Sequence, residues 1–422
     1  MDDKSQPVVL LSATLWWPTS ARLAMAFLHA GCRVSAVCPT GHPLRTVAGV
    51  DRIYPYRGLD SARSLISSIR KTQPDLIVPC DDGAVWQLHD LYERDAGLRP
   101  LIERSLGSGD AYAALESRDQ TLKAAVELGI RVPLTQAIES AEAFRNAELA
   151  WPAVLKIDGT WGGEGVVDLL NPAQAEQVFP SIFGSRRTVT AWKQYLVNRH
   201  PLALWLWQRR NGSIATLQKY IAGRQATTMF ASWQGEVLAS VTVEVLATQV
   251  FHGAATILRL LHNEGIERAS RLLAQRFKLS GFQGLDFIIE DSTQDTYLIE
   301  MNPRATQLGH LNLCPQGNLA DALAAKLMNK AASPGNATRH IQSDTIALFP
   351  HAWKSNPESR WLTVGYHDVP WEQPALVREL MRKSWPDRRV LNRILNGLKT
   401  LRQRNDKHAE PPGGEDNPPM SS

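Results

Sequence analysis

The 422-residue chain has only four cysteines, Cys32, Cys38, Cys80 and Cys314, and none has the close spacing of a metal finger. Buried thiols are commonplace in α/β cores, so a reduced, cytosolic protein is expected. Long hydrophobic runs are missing as well. Neither Val8 to Leu15 nor Leu202 to Trp207 is long enough to span a bilayer. The opening Met1-Asp-Asp-Lys4 lacks the basic and apolar regions of a secretory signal, and no membrane partner is expected. Charge of one sign is scarce: 46 Lys and Arg against 42 Asp and Glu leave a net +4. Part of that surplus lies towards the C-terminus, at Arg388-Arg389 and Lys399 to Lys407, but no groove-reading or base-stacking motif accompanies it, which argues against a nucleic-acid partner. GxGxxG and GxxxxGK[ST] are both absent, so the sequence supplies no fingerprint for a dinucleotide site or a P-loop.

What is present suffices for a large core: 44% hydrophobic residues in a chain long enough for two or three domains. Val8 to Ser12 reads as a buried strand, Ser20 to Ala30 as a helix ending at Gly31, and Arg33 to Cys38 as a second strand, a βαβ opening. Ser61 to Arg70 is helix-like, Asp75 to Pro79 strand-like and Val85 to Glu93 helix-like, so residues 1–110 are expected to form a small parallel α/β domain. A helix follows over Ser117 to Leu128, then strands at Ala153 to Ile157, Gly165 to Leu169, Ile214 to Tyr220 and Glu236 to Leu246. A helix over 266–277 leads to strands at Asp286 to Glu290 and Tyr297 to Met301, an α+β region spanning 111–330. Residues 340–400 read as a further α/β extension, and 407–422, rich in Pro, Gly and charge, as a disordered tail.

Two stretches carry chemistry. In Tyr297-Leu-Ile-Glu-Met-Asn-Pro-Arg304, an extended backbone would point Glu300, Asn302 and Arg304 one way, with Asp286 supplied by the preceding strand. Two carboxylates and an amide carbonyl are hard oxygen ligands suited to Mg²⁺ beside substrate phosphates, and an adjacent arginine can steady a transferred phosphoryl group. The bland alternative is a hairpin with a polar face and Asn-Pro as its turn. The second stretch, Pro152 to Val166, delivers Lys156 on a strand and then Gly159, Gly162, Gly163 and Gly165. Backbone N–H groups of such a loop can cradle phosphate while the ammonium supplies a point charge, although the glycines alone also fit an ordinary hairpin.

Together these motifs resemble the ATP-grasp superfamily, in particular its carboxylate–amine or carboxylate–thiol ligases and the related biotin carboxylase and carbamoyl-phosphate synthetase ATP-binding domains. The resemblance covers roughly residues 1–325 and implies a two-subdomain ATP-grasp fold after the α/β domain, with nucleotide between the subdomains. It implies that Arg118 and Lys156 contact nucleotide phosphates, that Gly162, Gly163 and Gly165 belong to a phosphate lid within 152–220, and that Gln218, Lys219, Tyr220 and Ile221 form the adenine linker. Many members carry lysine at the position of Arg118 and glutamate at that of Gln218. Asp286, Glu300 and Asn302 match the metal ligands and Arg304 the arginine beside the transferred phosphate, with ATP and Mg²⁺ (alternatively Mn²⁺) as cofactors. The implied activity is ADP-forming ligation of a carboxylate to an amine. Phosphorylation of bicarbonate, or ATP binding without turnover, are the alternatives.

Other residues are open to two readings. His252 reads either as a substrate contact or as an ordinary hydrogen-bonded histidine, and Arg268, like Arg259, as a carboxylate contact or a solvated helical arginine. His310 and Cys314 read as packing residues near a pocket wall. A homodimer is expected.

Overall fold

The computed structural model describes residues 6–147, 151–157, 165–183, 215–249, 253–315, 317–330, 341 and 343–384. Gly162, Gly163, His252 and the tail 407–422 lie outside the described residues.

The chain opens with β1 (Val8–Ser12), α1 (Thr19–His29), β2 (Arg33–Cys38), β3 (Arg52–Pro55), α2 (Ser61–Thr72) and β4 (Leu76–Pro79). The four strands form a parallel sheet in the order β3-β2-β1-β4. Every residue of β1 is buried, as a strand covered on both faces requires. Side chains alternate across the sheet: Val9 and Leu11 join one core with Leu23 and Phe27 of α1, while Leu10 joins another with Leu65 and Ile77. Helices α3 (Asp82–Arg94), α4 (Arg99–Leu106) and α5 (Tyr112–Leu115) follow.

Asp81, the N-cap of α3, ties the carboxyl ends of β1 and β4 together. Its carboxylate accepts from the Thr14 backbone N–H at 2.7 Å, the Thr14 hydroxyl at 2.7 Å, the Leu15 N–H at 3.0 Å and the Ala84 N–H at 2.9 Å. This fixes the first turn of α3 beside the loop that leads into α1.

A second sheet is built from β5 (Thr135–Ile138), β6 (Ala153–Ile157), β7 (Val166–Leu169) and β8 (Ala215–Lys219), antiparallel in the order β5-β8-β6-β7. It is preceded by α6 (Arg118–Glu127) and accompanied by α7 (Ala141–Arg145) and α8 (Pro172–Phe183), and has its own core around Ile138, Leu155, Leu169 and Leu217.

The third sheet is the largest: β9 (Gly223–Trp233), β10 (Glu236–Thr248), β11 (Ala255–Leu260), β12 (Gly281–Glu290), β13 (Thr296–Asn302), β14 (Thr345–Ala347) and β15 (Tyr366–His367), in the order β13-β12-β9-β10-β11-β14-β15. Helix α9 (Glu264–Phe277) buries Ile266, Leu273 and Phe277 against Phe230 and Phe287, on one face of that sheet. Met229 and Ala231 of the alternate parity join the core of α1, where Phe27 and Phe282 have ring centroids 5.9 Å apart. Helices α10 (Leu319–Leu327), α11 (His351–Ser355), α12 (Trp361–Val364) and α13 (Pro374–Met381) complete the described chain.

Two long-sheet strands, β9 and β11, were not expected from the sequence. The polar start of β9 hides its alternation, and its hairpin to β10 turns on Gln234-Gly235, both at positive φ (50° and 90°). Within 340–400, β14 pairs with β11 and β15 with β14, so the described strands of this segment continue the large sheet. A buried cluster joins α1 to this segment: Arg22 is ion-paired to Asp368, whose other oxygen lies 2.7 Å from His310 Nε2. Among the described residues, no helix is long and apolar enough to cross a membrane.

Candidate active site

Strands β12 and β13 pair antiparallel with Asp286 opposite Glu300 and Gly284 opposite Asn302. Asp286, Glu300 and Asn302 thereby share one sheet face, as the period of two requires. Strand β13 ends at Asn302, because Pro303 has no N–H for the ladder. Arg304 therefore lies in a bend beyond the strand rather than on its extended continuation; its backbone N–H turns back to the Asn302 carbonyl at 2.8 Å. Its guanidinium still reaches the same place. Nη2 donates to Asn302 Oδ1 at 3.2 Å, and Asn302 Nδ2 donates to Asp286 Oδ2 at 2.9 Å. On the other side, Arg304 Nε donates to Asp82 Oδ1 at 2.8 Å.

Arg118, in the first turn of α6, donates from Nη2 to Glu300 Oε1 at 2.7 Å. Lys156 on β6 is buried, and its Nζ donates to the Ile299 carbonyl at 3.2 Å. Burial draws the Lys156 ammonium down to about 8, with Glu300 opposing. For Glu300, burial alone would raise the carboxyl; the Arg118 guanidinium and then Lys156 outweigh it and hold the group at about 2. Asp286 is raised, first by burial and then by the Glu300 charge across the strand pair.

Arg118, Lys156, Asp286, Glu300, Asn302 and Arg304 all line one cavity of about 340 Å³. The donor set fits a hard cation with phosphates: two carboxylates face each other, one of them raised by burial and by the charge of the other, beside the three cations Arg118, Lys156 and Arg304. Among the described residues no group of three or more His, Cys, Asp and Glu gathers at metal-holding distance; beside the two carboxylates, the Asn302 amide is a further oxygen donor on the same cavity. In this arrangement the Asn302 oxygen accepts from Arg304, which leaves its second lone pair for a cation. Thr306 Oγ1 and Gln307 Nε2, from residues on the same cavity, are buried atoms without a hydrogen-bond partner among the described residues, which fits a site that expects a ligand.

The other anticipated residues are placed elsewhere. Gln218 points inward from β8, with Nε2 3.3 Å from Thr135 Oγ1 and 3.5 Å from the Ile299 carbonyl. The backbone N–H groups of Lys219 and Tyr220 are taken by the Leu134 and Pro152 carbonyls at 2.8 and 3.0 Å. Neither these residues nor Ile221 are on the described cavity wall. Gly165, at φ +79°, closes the β6–β7 pairing by accepting from the Ile157 N–H at 2.9 Å. Arg268 is exposed on α9, away from the cavity wall, and Arg259 lies 4.0 Å from Glu244. His310 and Cys314 are packing residues, bonded to Asp368 and to the Ser240 carbonyl.

The cavity also gathers residues that the sequence did not single out: Trp17, Asp82, Trp86, Glu116, Thr306 and Gln307. The available signal was topological. Trp17 and Asp82 follow the carboxyl ends of β1 and β4, where parallel sheets collect ligands.

Residues 205–307 match the family of ATP-grasp domains. No curated protein matches the chain by sequence. Among solved structures, N5-carboxyaminoimidazole synthetase from Staphylococcus aureus, complexed with ADP, aligns at 16% identity and TM-score 0.57 over 78% of this chain and 79% of that one. Biotin carboxylase from Campylobacter jejuni aligns at 13% identity and TM-score 0.55, covering 78% and 72%. L-amino acid ligase from Bacillus licheniformis aligns at 11% and 0.54, covering 77% and 75%. At these identities the likeness establishes the fold.

Proposed function

We propose that this protein, whose fold is that of the ATP-grasp superfamily, is an ATP-dependent ligase that activates a carboxylate as an acyl phosphate and joins it to an amine, releasing ADP and phosphate. The convergence of Arg118, Lys156, Asp286, Glu300, Asn302 and Arg304 on one cavity, from four separated stretches of chain, carries this reading. The L-amino acid ligase and carboxyaminoimidazole synthetase neighbours support it by fold.

A carboxylate is a poor electrophile. When its oxygen bonds to the γ-phosphorus and the bond to ADP breaks, phosphate becomes the leaving group. The amine nitrogen then bonds to the acyl carbon as the C–O bond to phosphate breaks. Arg118 and Lys156 neutralise the nucleotide phosphates, and Lys156 regains full charge as they enter. Asp286, Glu300 and Asn302 would hold Mg²⁺ or Mn²⁺, which supplies charge neutralisation at the phosphate oxygens. Arg304, held by Asp82 and Asn302, stands where charge develops on the transferred group and the acyl phosphate. The loop at 159–165 is assigned the role of excluding water from that intermediate. Residues 1–110 serve in this scheme as the substrate-facing domain, 111–330 as the ATP-grasp unit, and 340–400 as its completion.

Quantitative ³¹P NMR of Mg²⁺-ATP with pooled carboxylates, with and without amines and bicarbonate, tests the assignment. ADP and phosphate formed only with a carboxylate–amine combination support it. Stimulation by bicarbonate alone transfers the assignment to carboxylation, the chemistry suggested by the biotin carboxylase neighbour. AMP with pyrophosphate rules out the acyl-phosphate route.

A further inference from the structure

We propose that the amine acceptor carries an apolar, aromatic-sized body and is read by one face of α3, through Asp82 and Trp86. The proposal rests on the ligase reading above and specifies its second substrate. The cavity wall contributed by the chain before Arg118 consists, among the described residues, of Trp17, Asp82, Val85, Trp86, Leu115 and Glu116. Its two charged members are carboxylates and the rest are apolar or aromatic. Arg118, Lys156 and Arg304, the cations on the cavity, belong to the phosphate-handling set. A cation with an apolar body is complementary to such a wall, whereas an anionic acceptor would meet only repulsion there.

Asp82, Val85 and Trp86 are spaced i, i+3, i+4 on α3 and so share one face of the helix. Asp82 uses Oδ1 for Arg304; Oδ2 makes no hydrogen bond among the described residues, and the side chain is 26% exposed. Glu116 is likewise engaged through one oxygen, by His89 at 2.8 Å, so what sets Asp82 apart is its bond to Arg304, which places it beside the phosphate-handling set. An ammonium on Oδ2 would stand one carboxylate away from the guanidinium that steadies the acyl phosphate, and it becomes the attacking amine once it has given up a proton, which that carboxylate oxygen is placed to accept. Its body would run along the helix onto Val85 and Trp86. Thr306 Oγ1 and Gln307 Nε2, buried and without a hydrogen-bond partner among the described residues, are an independent sign that a ligand group completes this cavity.

Isothermal titration calorimetry on the full chain, with Mg²⁺ and a non-hydrolysable ATP analogue, tests this with phenethylamine, ethanolamine and O-phosphoethanolamine as probes. Saturable phenethylamine binding is expected, about tenfold or more tighter than ethanolamine, and weakened by a similar factor in Trp86→Ala and in Asp82→Asn. Trp86→Phe should restore most of the affinity, which a general loss of fold would not permit. The proposal is overturned if phosphoethanolamine binds as tightly as phenethylamine, if both substitutions leave phenethylamine affinity unchanged, or if phenethylamine does not bind to protein that binds the analogue. Failure to bind the analogue counts instead against the nucleotide assignment, and the amine proposal is then decided by the same titration without nucleotide.

Discussion

The Arg118 guanidinium donates to Glu300 Oε1 at 2.7 Å, joining a residue from the first turn of α6 to one on β13 that lies 182 positions later in the chain. The pair accounts for the low position of the Glu300 carboxyl, and on the proposed reading a metal–nucleotide in the cavity would share or open it. Each partner is already charged as the proposed chemistry needs.

Glu300→Gln keeps the shape of the side chain and removes the charge that would hold a cation. Turnover is expected to fall by about 100-fold or more, the scale of losing a preorganised charge, with the melting transition preserved. ADP release at saturating Mg²⁺ is the measurement; a near-normal rate would remove Glu300 from the assigned role.

Replacement of Arg118 by methionine should change the acid limb of stability. In the folded chain Glu300 is held at about 2, below its ordinary 4.5, so it contributes stability that is present above 4.5 and lost as pH falls towards 2. With Arg118 gone the folded value rises and that contribution shrinks. Melting temperature followed from pH 6 to 2.5 in both proteins checks this, and superimposable curves would contradict it.

Lys156 gives two trends of opposite sign. Its ammonium sits near 8 rather than 10.5, so affinity for an ATP analogue should fall as pH rises through about 8 and the charge is lost. Between those values the unfolded chain binds the proton more tightly than the folded one, so stability from this group rises with pH. Lys156→Ala should bind the analogue more weakly and flatten the affinity profile. A wild-type affinity that does not change from pH 7 to 9.5 would refute the phosphate assignment.

Asp368→Asn leaves Arg22, a buried guanidinium, without its counter-charge. A loss of about 3–5 kcal/mol is expected, the usual cost of orphaning one member of a buried ion pair. Urea unfolding measures it, and a loss below about 1 kcal/mol would mean that the Arg22 cluster does not brace the fold.

The sequence alone determined the elements with strong local periodicity and the strand pair that carries Asp286 and Glu300. Val8–Ser12 and Arg33–Cys38 were legible as largely apolar runs between turn residues, because burial on both faces leaves few polar interruptions, and Ala153–Ile157 as an apolar run interrupted by Lys156. Asp286, Glu300 and Asn302 were legible as one face because the period of a strand is two and their separation in sequence is short. Arg304 was legible as a residue but not as a geometry, since Pro303 ends the ladder and turns the chain.

Only the tertiary structure decided which distant residues meet those strands. The pairing of Arg304 with Asp82 spans 222 positions, and no local pattern encodes a contact between the first turn of α3 and a bend after β13. The inward turn of Gln218, the exposure of Arg268 and the carbonyls that occupy the linker N–H groups follow from how the sheets are packed and capped. Local sequence sets which face of an element is apolar and which residue types it offers; the side chains that share a cavity are set by packing between elements, where each contact depends on the whole chain.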